Sequence, residues 1–382
     1  MRNKTGFLSV VVFLLLFSKV SAQPLRQEEV LASMIRVNDY FMKKYADYSL
    51  PSFHKGKMRP SNIWTRTVYY EGLLALYSVY PLDSYYDYAV GWADYHRWGF
   101  HRGTITRHAD NYSPGQVYID LYNLCPDNTE KIRKTRANLE MLINTPQVNE
   151  WWWIDAIQMA APSFAKMGRL TGDTKYYDKM WQMYEYTRNR HGEAGMFNVK
   201  DGLWWRDQDF DPPYAEPNGE DCYWSRGNGW VYTALVRIIN EIPADEPHHH
   251  DYINDFLTMS EAIRQCQRED GFWNVSLHDA QHFGGKETTG TALFAYGMAW
   301  GIRQGLLDGK IYLPIVEKAW HAMVKDAVHP NGFLGYVQGT GKEPKDGQPV
   351  TYNSVPDFED FGIGCFLLAG SEVYKLAAAV KR

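Results

Sequence analysis

Residues 290–307 read GTALFAYGMAWGIRQGLL, a run of helical length with no polar side and one charged residue, Arg303. A surface helix keeps its charges on one face, whereas a helix that is apolar all round is buried on both sides. Five further stretches share this design of a small residue or proline followed by an apolar run rich in small residues. They begin near Gly72 (GLLALYSVY), Pro114 (PGQVYIDLYNL), Ala156 (AIQMAAPSFAKMGRL), Gly229 (GWVYTALVRIINEI) and Gly362 (GIGCFLLAGSEVYKL). Between them lie amphipathic segments at 29–46, 84–98, 129–144, 174–190, 251–268 and 311–326, whose Lys, Glu and Asp suit an outer layer. Asp201-Gly202, Asp270-Gly271 and Asn331-Gly332 mark tight turns. Self-similar pairs of this kind read as stacked helical hairpins. Six inner and six outer helices make an all-α (α/α)6 barrel. Strand signals are sparse, with short loop hairpins expected near 194–206 and 271–283.

Length alone, 382 residues, would suggest two or three domains. No Ser/Gly/Pro-rich linker divides the chain, so the expectation is a signal peptide over 1–22 and one catalytic domain over 23–382. The segment 243–250 (PADEPHHH) reads as a solvated hairpin loop rather than a metal site. Residues 1–22 have Arg2 and Lys4, an apolar run from Phe7 to Phe17, and small residues at Val20 and Ala22. That is the pattern of a secretory leader, and the run is shorter than the ~20 residues a bilayer span needs. The chain is therefore expected to be exported, periplasmic or secreted, with no membrane span in the mature protein. The leader takes away three basic residues and no acidic one, so a formal net charge of −5 becomes −8. This balance argues against nucleic acid as a partner. The four cysteines, Cys125, Cys222, Cys266 and Cys365, are far apart, with no CxxC pair. Aromatic residues make up 15% of the chain, 14 Trp, 27 Tyr and 17 Phe. Mean hydropathy is nevertheless −0.46, so these rings do not belong to a membrane composition.

A polar or aromatic motif precedes each apolar helix. In order these are Trp64 and Arg66; Arg107-His108-Ala109-Asp110-Asn111-Tyr112; Trp151-Trp152-Trp153-Ile154-Asp155; Trp224-Ser225-Arg226-Gly227-Asn228-Gly229-Trp230; Lys286-Glu287-Thr288-Thr289; and Pro356-Asp357-Phe358-Glu359-Asp360. Inner helices of an α/α barrel run parallel, so these motifs converge on one end and surround one pocket, where helix N-termini favour an anion. Trp and Tyr rings suit the apolar faces of sugars. Arg226 offers a fork for a carboxylate. Asp110 and Asp155 are the candidate acid and base, because an apolar surround raises a carboxyl pKa toward neutrality. An Asp before a helix is most often an N-cap, and Asp357 and Asp360 read that way. Asp155 does not, since a cap needs no three preceding tryptophans. Of those three, at least one belongs to the core. Arg226 has a structural alternative, pairing with Asp221, and Asn274-Val275-Ser276 matches the glycosylation sequon.

Taken in order, these blocks resemble the unsaturated rhamnogalacturonyl and glucuronyl hydrolases of glycoside hydrolase families 105 and 88, most closely 105. The strongest is WSRGNGW at 224–230, supported by DNYSPG at 110–115, WWIDA at 152–156, ETTGTA at 287–292 and GIGCFLLAGSE at 362–372. The resemblance implies an (α/α)6 barrel that removes a 4,5-unsaturated uronic acid from oligosaccharides left by polysaccharide lyases. It implies hydration of the C4=C5 bond, with Asp155 as the catalytic acid and Asp110 as the second active-site Asp. Trp224, Arg226 and Trp230 match residues lining the sugar site, and neither metal nor organic cofactor is implied; Tyr112, Trp64 and Arg206 are further candidates for substrate binding. One position departs from the family pattern. Arg206, in GLWWRDQD at 202–209, stands where a His is expected, and a permanent cation there alters the substrate contacts. A conventional glycosidase or lyase on the same barrel, or a non-catalytic sugar-binding protein, are the alternative readings.

Overall fold

The computed structural model describes residues 24–380 apart from 55 and 193; the expected leader lies outside them. Six helices form a closed inner ring in which each packs on the next: α2 (Trp64–Val79), α5 (Gly115–Leu124), α7 (Asp155–Thr171), α9 (Ser225–Glu241), α11 (Thr288–Arg303) and α13 (Asp360–Val380), which returns to α2. Each inner helix carries an outer one: α3 (Asp83–Tyr95), α6 (Glu130–Ile143), α8 (Lys175–Asn189), α10 (His249–Gln265), α12 (Gly309–Ala322) and, on α13, α1 (Gln27–Lys44). The short α4 (Ala109–Tyr112) leads into α5. The (α/α)6 barrel read from the sequence is the observed architecture.

Burial follows the two designs. Helix α6 buries Ile132, Thr135, Leu139 and Leu142, a stripe at helical spacing, and exposes much of its opposite face. Helix α11 is buried without interruption from Thr288 to Gly301. Helix α13 is long and apolar enough to cross a membrane, contrary to the expectation that no segment after the leader is, but 72% of its apolar window is buried in the barrel as a core helix.

The glycines read as helix starts have another job. Helix α2 begins at Trp64 and α9 at Ser225, so Gly72 and Gly229 lie inside helices. At Gly72 an added Cβ would sit 2.5 Å from the carbonyl oxygen of Gly364 on α13, closer than any real Cβ contact. Gly72 and Gly364 thus let the first and last inner helices close the ring. Pro162, inside α7, has no N–H to give Gln158. The Gln116 side chain of α5 fills that gap, donating to the carbonyl oxygens of Gln158 at 2.7 Å and Met159 at 3.1 Å. One interruption in a helix becomes a tie between neighbours.

Of the two expected loop hairpins, the first forms as β3 (Phe197–Asn198) with β4 (Leu203–Trp204). The second, 271–283, makes isolated bridges only, Trp273 with Glu287 and Ser276 with Trp224. A hairpin the sequence reading missed, β1 (Ser52–His54) with β2 (Lys57–Arg59), turns at Gly56, whose φ of +75° favours glycine. In the 243–250 loop the His248 ring stacks on Trp181 at 3.9 Å, a packing role.

Candidate active site

Four of the six motifs expected to surround one pocket meet at one, and those at 286–289 and 356–360 do not line it. Trp64 from α2, Asp110 from α4, Asp155 and Met159 from α7, and Trp224 and Arg226 from the start of α9 line one cleft of ≈ 170 Å³. Trp153, Arg206, Thr340 and Gly341 complete it from loops. Its volume is on the scale of one sugar ring. A second hollow of ≈ 290 Å³, lined by Gly339, Thr340, Asp346 and Asp357, shares its Thr340 wall. Larger hollows of ≈ 980 and ≈ 920 Å³ lie along α1 and beside α10, but neither brings paired acids and aromatic rings together.

Asp155 is the first residue of α7, and its side chain is only 12% exposed. Its carboxylate takes no amide of the next turn; Arg206 Nε donates to Oδ2 at 3.1 Å. Arg206 is tied to this turn twice, because its own carbonyl accepts from Ile154 N–H at 3.0 Å. Its Nη1 donates to Asp207. Burial drives the Asp155 carboxyl above its ordinary range, and the cations Arg206 and Arg226 pull part of that back. Asp110 is pushed up to about 7, first by burial and then by the charge of Asp155, against Arg206 and Arg59. Two carboxyls in one cleft, one cation-paired and one poised near neutrality, are the equipment of proton transfer. His108 lies with its ring 4.6 Å from Trp153; burial and then Arg206 lower its pKa, so it stays neutral.

Three of the expected substrate-binding residues are engaged with the protein itself. Arg226 reaches the cleft, but its two terminal nitrogens donate to the carbonyl oxygens of Gln338 and Gly339, both at 2.7 Å. Its guanidinium lies 4.6 Å from the Trp224 ring. The two prongs of the fork are engaged in fixing the 338–341 loop, Nε is buried without a hydrogen-bond partner among the described residues, and Asp221 is not its partner. Trp230 is fully buried and meets Trp64 edge-on at 6.2 Å, so it backs the wall rather than forming it. Tyr112 is buried too, its hydroxyl accepting from Trp151 Nε1 at 3.2 Å. Asp110, Asp155, Trp64, Trp224 and Arg206 do face the cleft.

Several lining residues escaped the sequence reading. Met159 is four residues after Asp155, on the same helix face, and that spacing could have found it. Of the three tryptophans, Trp151 is core, Trp152 is exposed and Trp153 lines the cleft. Thr340 and Gly341 sit in a loop with no periodic signal. Asp357 anchors that loop by accepting from Thr340 N at 2.9 Å. Glu287 and Asp360 are structural: Glu287 caps α11 through Thr289 N and Gly290 N, and Asp360 accepts from Arg66 Nε at 3.1 Å. Asn274 of the sequon is buried, with Oδ1 accepting from Arg268 and Gly285.

A family model described as Glycosyl Hydrolase Family 88 matches residues 33–377. An unsaturated 3S-rhamnoglycuronyl hydrolase of Formosa agariphila is 36% identical over 231 residues, which are 59% of this chain and 58% of that protein. The chain thus spans less than two thirds of that relative. A protein of the same name from an Alteromonas species is 29% identical over 86% of this chain and 81% of its own length. Among solved structures, one described as glycosyl hydrolase family 88 from Bacteroides vulgatus superposes with a TM-score of 0.83 at 33% identity, covering 92% of this chain and 100% of its own. Another, titled a polysaccharide lyase, gives 0.82 at 31% identity over 91% of this chain and 97% of its own.

Proposed function

The chain belongs to glycosyl hydrolase family 88, the companion of family 105 in the resemblance its motifs carry, and on that premise we propose that it removes a 4,5-unsaturated uronic acid from the non-reducing end of lyase-generated oligosaccharides. The observation that carries this reading is the Asp110/Asp155 pair in a one-sugar cleft walled by Trp64, Trp153 and Trp224. In this reading protonated Asp155 gives its proton to C4 and positive charge develops at C5. Water adds at C5 and its proton returns to Asp155. The hemiketal so formed opens to the 5-keto-4-deoxyuronate, and the next sugar leaves. Asp110 accepts from or donates to the ring hydroxyls according to its protonation. Arg206, the cleft cation with a nitrogen to spare, takes the uronate carboxylate in place of Arg226. The adjoining hollow behind Thr340 receives the next sugar.

The names of the curated relatives point to a rhamnose-linked uronide as the first substrate to try. The leader-like first 22 residues add the proposal that one catalytic domain, 23–382, acts outside the cytoplasm; N-terminal sequencing of the protein recovered from its native cell tests this. A second reading, lyase action, has a structural neighbour's title in its favour. The two are separated by ultraviolet absorbance. A hydratase consumes the C=C chromophore of an unsaturated uronide, and a lyase creates it from a saturated polymer. A panel of pectic, ulvan and glycosaminoglycan lyase digests, run beside the intact polymers, decides between them.

A further inference from the structure

Arg206 sits between two carboxylates and a cleft. Its Nε is held by Asp155 at 3.1 Å and its Nη1 by Asp207, while Nη2 has no hydrogen-bond partner among the described residues. The side chain is 13% exposed, and it lines the cleft. Its backbone is pinned to Ile154, so the residue cannot leave, but its head group can redistribute its bonds. Resting on the reading above, we propose that Arg206 couples substrate to acid: the carboxylate of an entering uronide draws on the guanidinium that neutralises Asp155, so that binding the anion itself loads Asp155 with the proton it then donates.

The physics is that of three charges around one cation. In the free protein Asp155 shares Arg206 with Asp207. The other charged groups facing this corner are Asp110 from α4, Arg59 from β2, Arg226 from α9, and Lys342 and Asp209 nearby, with His108 neutral. Lys342 is engaged with Asp209 at 2.6 Å, and Arg226 with backbone carbonyls, so neither replaces Arg206. A bound carboxylate brings a further negative charge and displaces water. Both disfavour an ionised Asp155. Such linkage makes anion binding take up protons.

The test is calorimetric titration with methyl glucuronide, which lacks the double bond, in buffers of different ionisation enthalpy near pH 7, with methyl glucoside as neutral control. The Asp110→Asn background is used because Asp110 would also take up a proton. In that background the glucuronide is expected to bind with net proton uptake, and the uptake is expected to vanish when Asp155→Asn is added. Arg206→Met added instead should weaken binding and also abolish uptake. Binding without uptake, uptake that survives Asp155→Asn, or no binding of the glucuronide each overturns the coupling. Uptake as described in a protein that consumes no unsaturated uronide would overturn the hydrolase reading and leave the coupling standing.

Discussion

Asp110 and Asp155 start from the same chemistry and end in different roles because of their neighbours. Asp155 has a cation at 3.1 Å; Asp110 has burial and then another carboxylate, which push it up to about 7. Below that value Asp110 is protonated, and above it a second negative charge in the cleft repels the substrate carboxylate. Activity is therefore expected to fall as pH rises through about 7. In Asp110→Asn that fall through about 7 should be lost while some turnover remains, read from kcat/KM profiles. An unmoved profile would remove Asp110 from the proton chemistry. Arg226→Lys is expected to act differently. It loses the two-pronged hold on Gln338 and Gly339, so KM should rise as the 338–341 loop loosens, with a smaller effect on the pH profile. A pH shift with unchanged KM would make Arg226, not Arg206, the cation that governs Asp155.

At the scale of elements, the six apolar runs and six amphipathic ones were legible because burial on both sides and burial on one side leave different composition patterns. The helix starts were less legible. Gly72 reads locally as a breaker, yet its place is set by Gly364, nearly three hundred residues away, a contact no local pattern contains. The same reason divides the site. Asp110, Asp155, Trp64 and Trp224 precede apolar runs, so parallel inner helices had to bring them together. Whether Trp230 or Trp153 meets the cleft depends on side-chain direction, and the commitment of Arg226 to two loop carbonyls depends on a loop without periodicity. Gly72→Ala is expected to destabilise by about 1–3 kcal/mol through overpacking at the α2–α13 seam. Denaturant unfolding measures it, and no loss would mean the seam is not tight.

The whole molecule is a ring that must close and an acidic body that must bind an acid. Closure rests on α2 against α13, where the buried pair Arg66 and Asp360 joins the first and last inner helices. Arg66→Leu leaves a buried carboxylate without its cation and is expected to cost about 3–5 kcal/mol. A smaller loss in equilibrium unfolding would place closure elsewhere. The net charge of −5 repels an anionic sugar at long range, while Arg206 attracts it inside the cleft. Salt screens exposed, distant charges more than buried ones. Raising ionic strength should thus leave kcat/KM level or slightly raised; a steep fall would mean that long-range attraction, not a local cation, delivers the substrate. The central claim is that Asp155 protonates the C4=C5 bond of a terminal unsaturated uronide. The most direct measurement is loss of ultraviolet absorbance on a lyase-generated, rhamnose-linked unsaturated disaccharide, wild type against Asp155→Asn. The absorbance should decay with wild type and roughly 100- to 10,000-fold more slowly with the variant; decay at the wild-type rate in Asp155→Asn would contradict the claim.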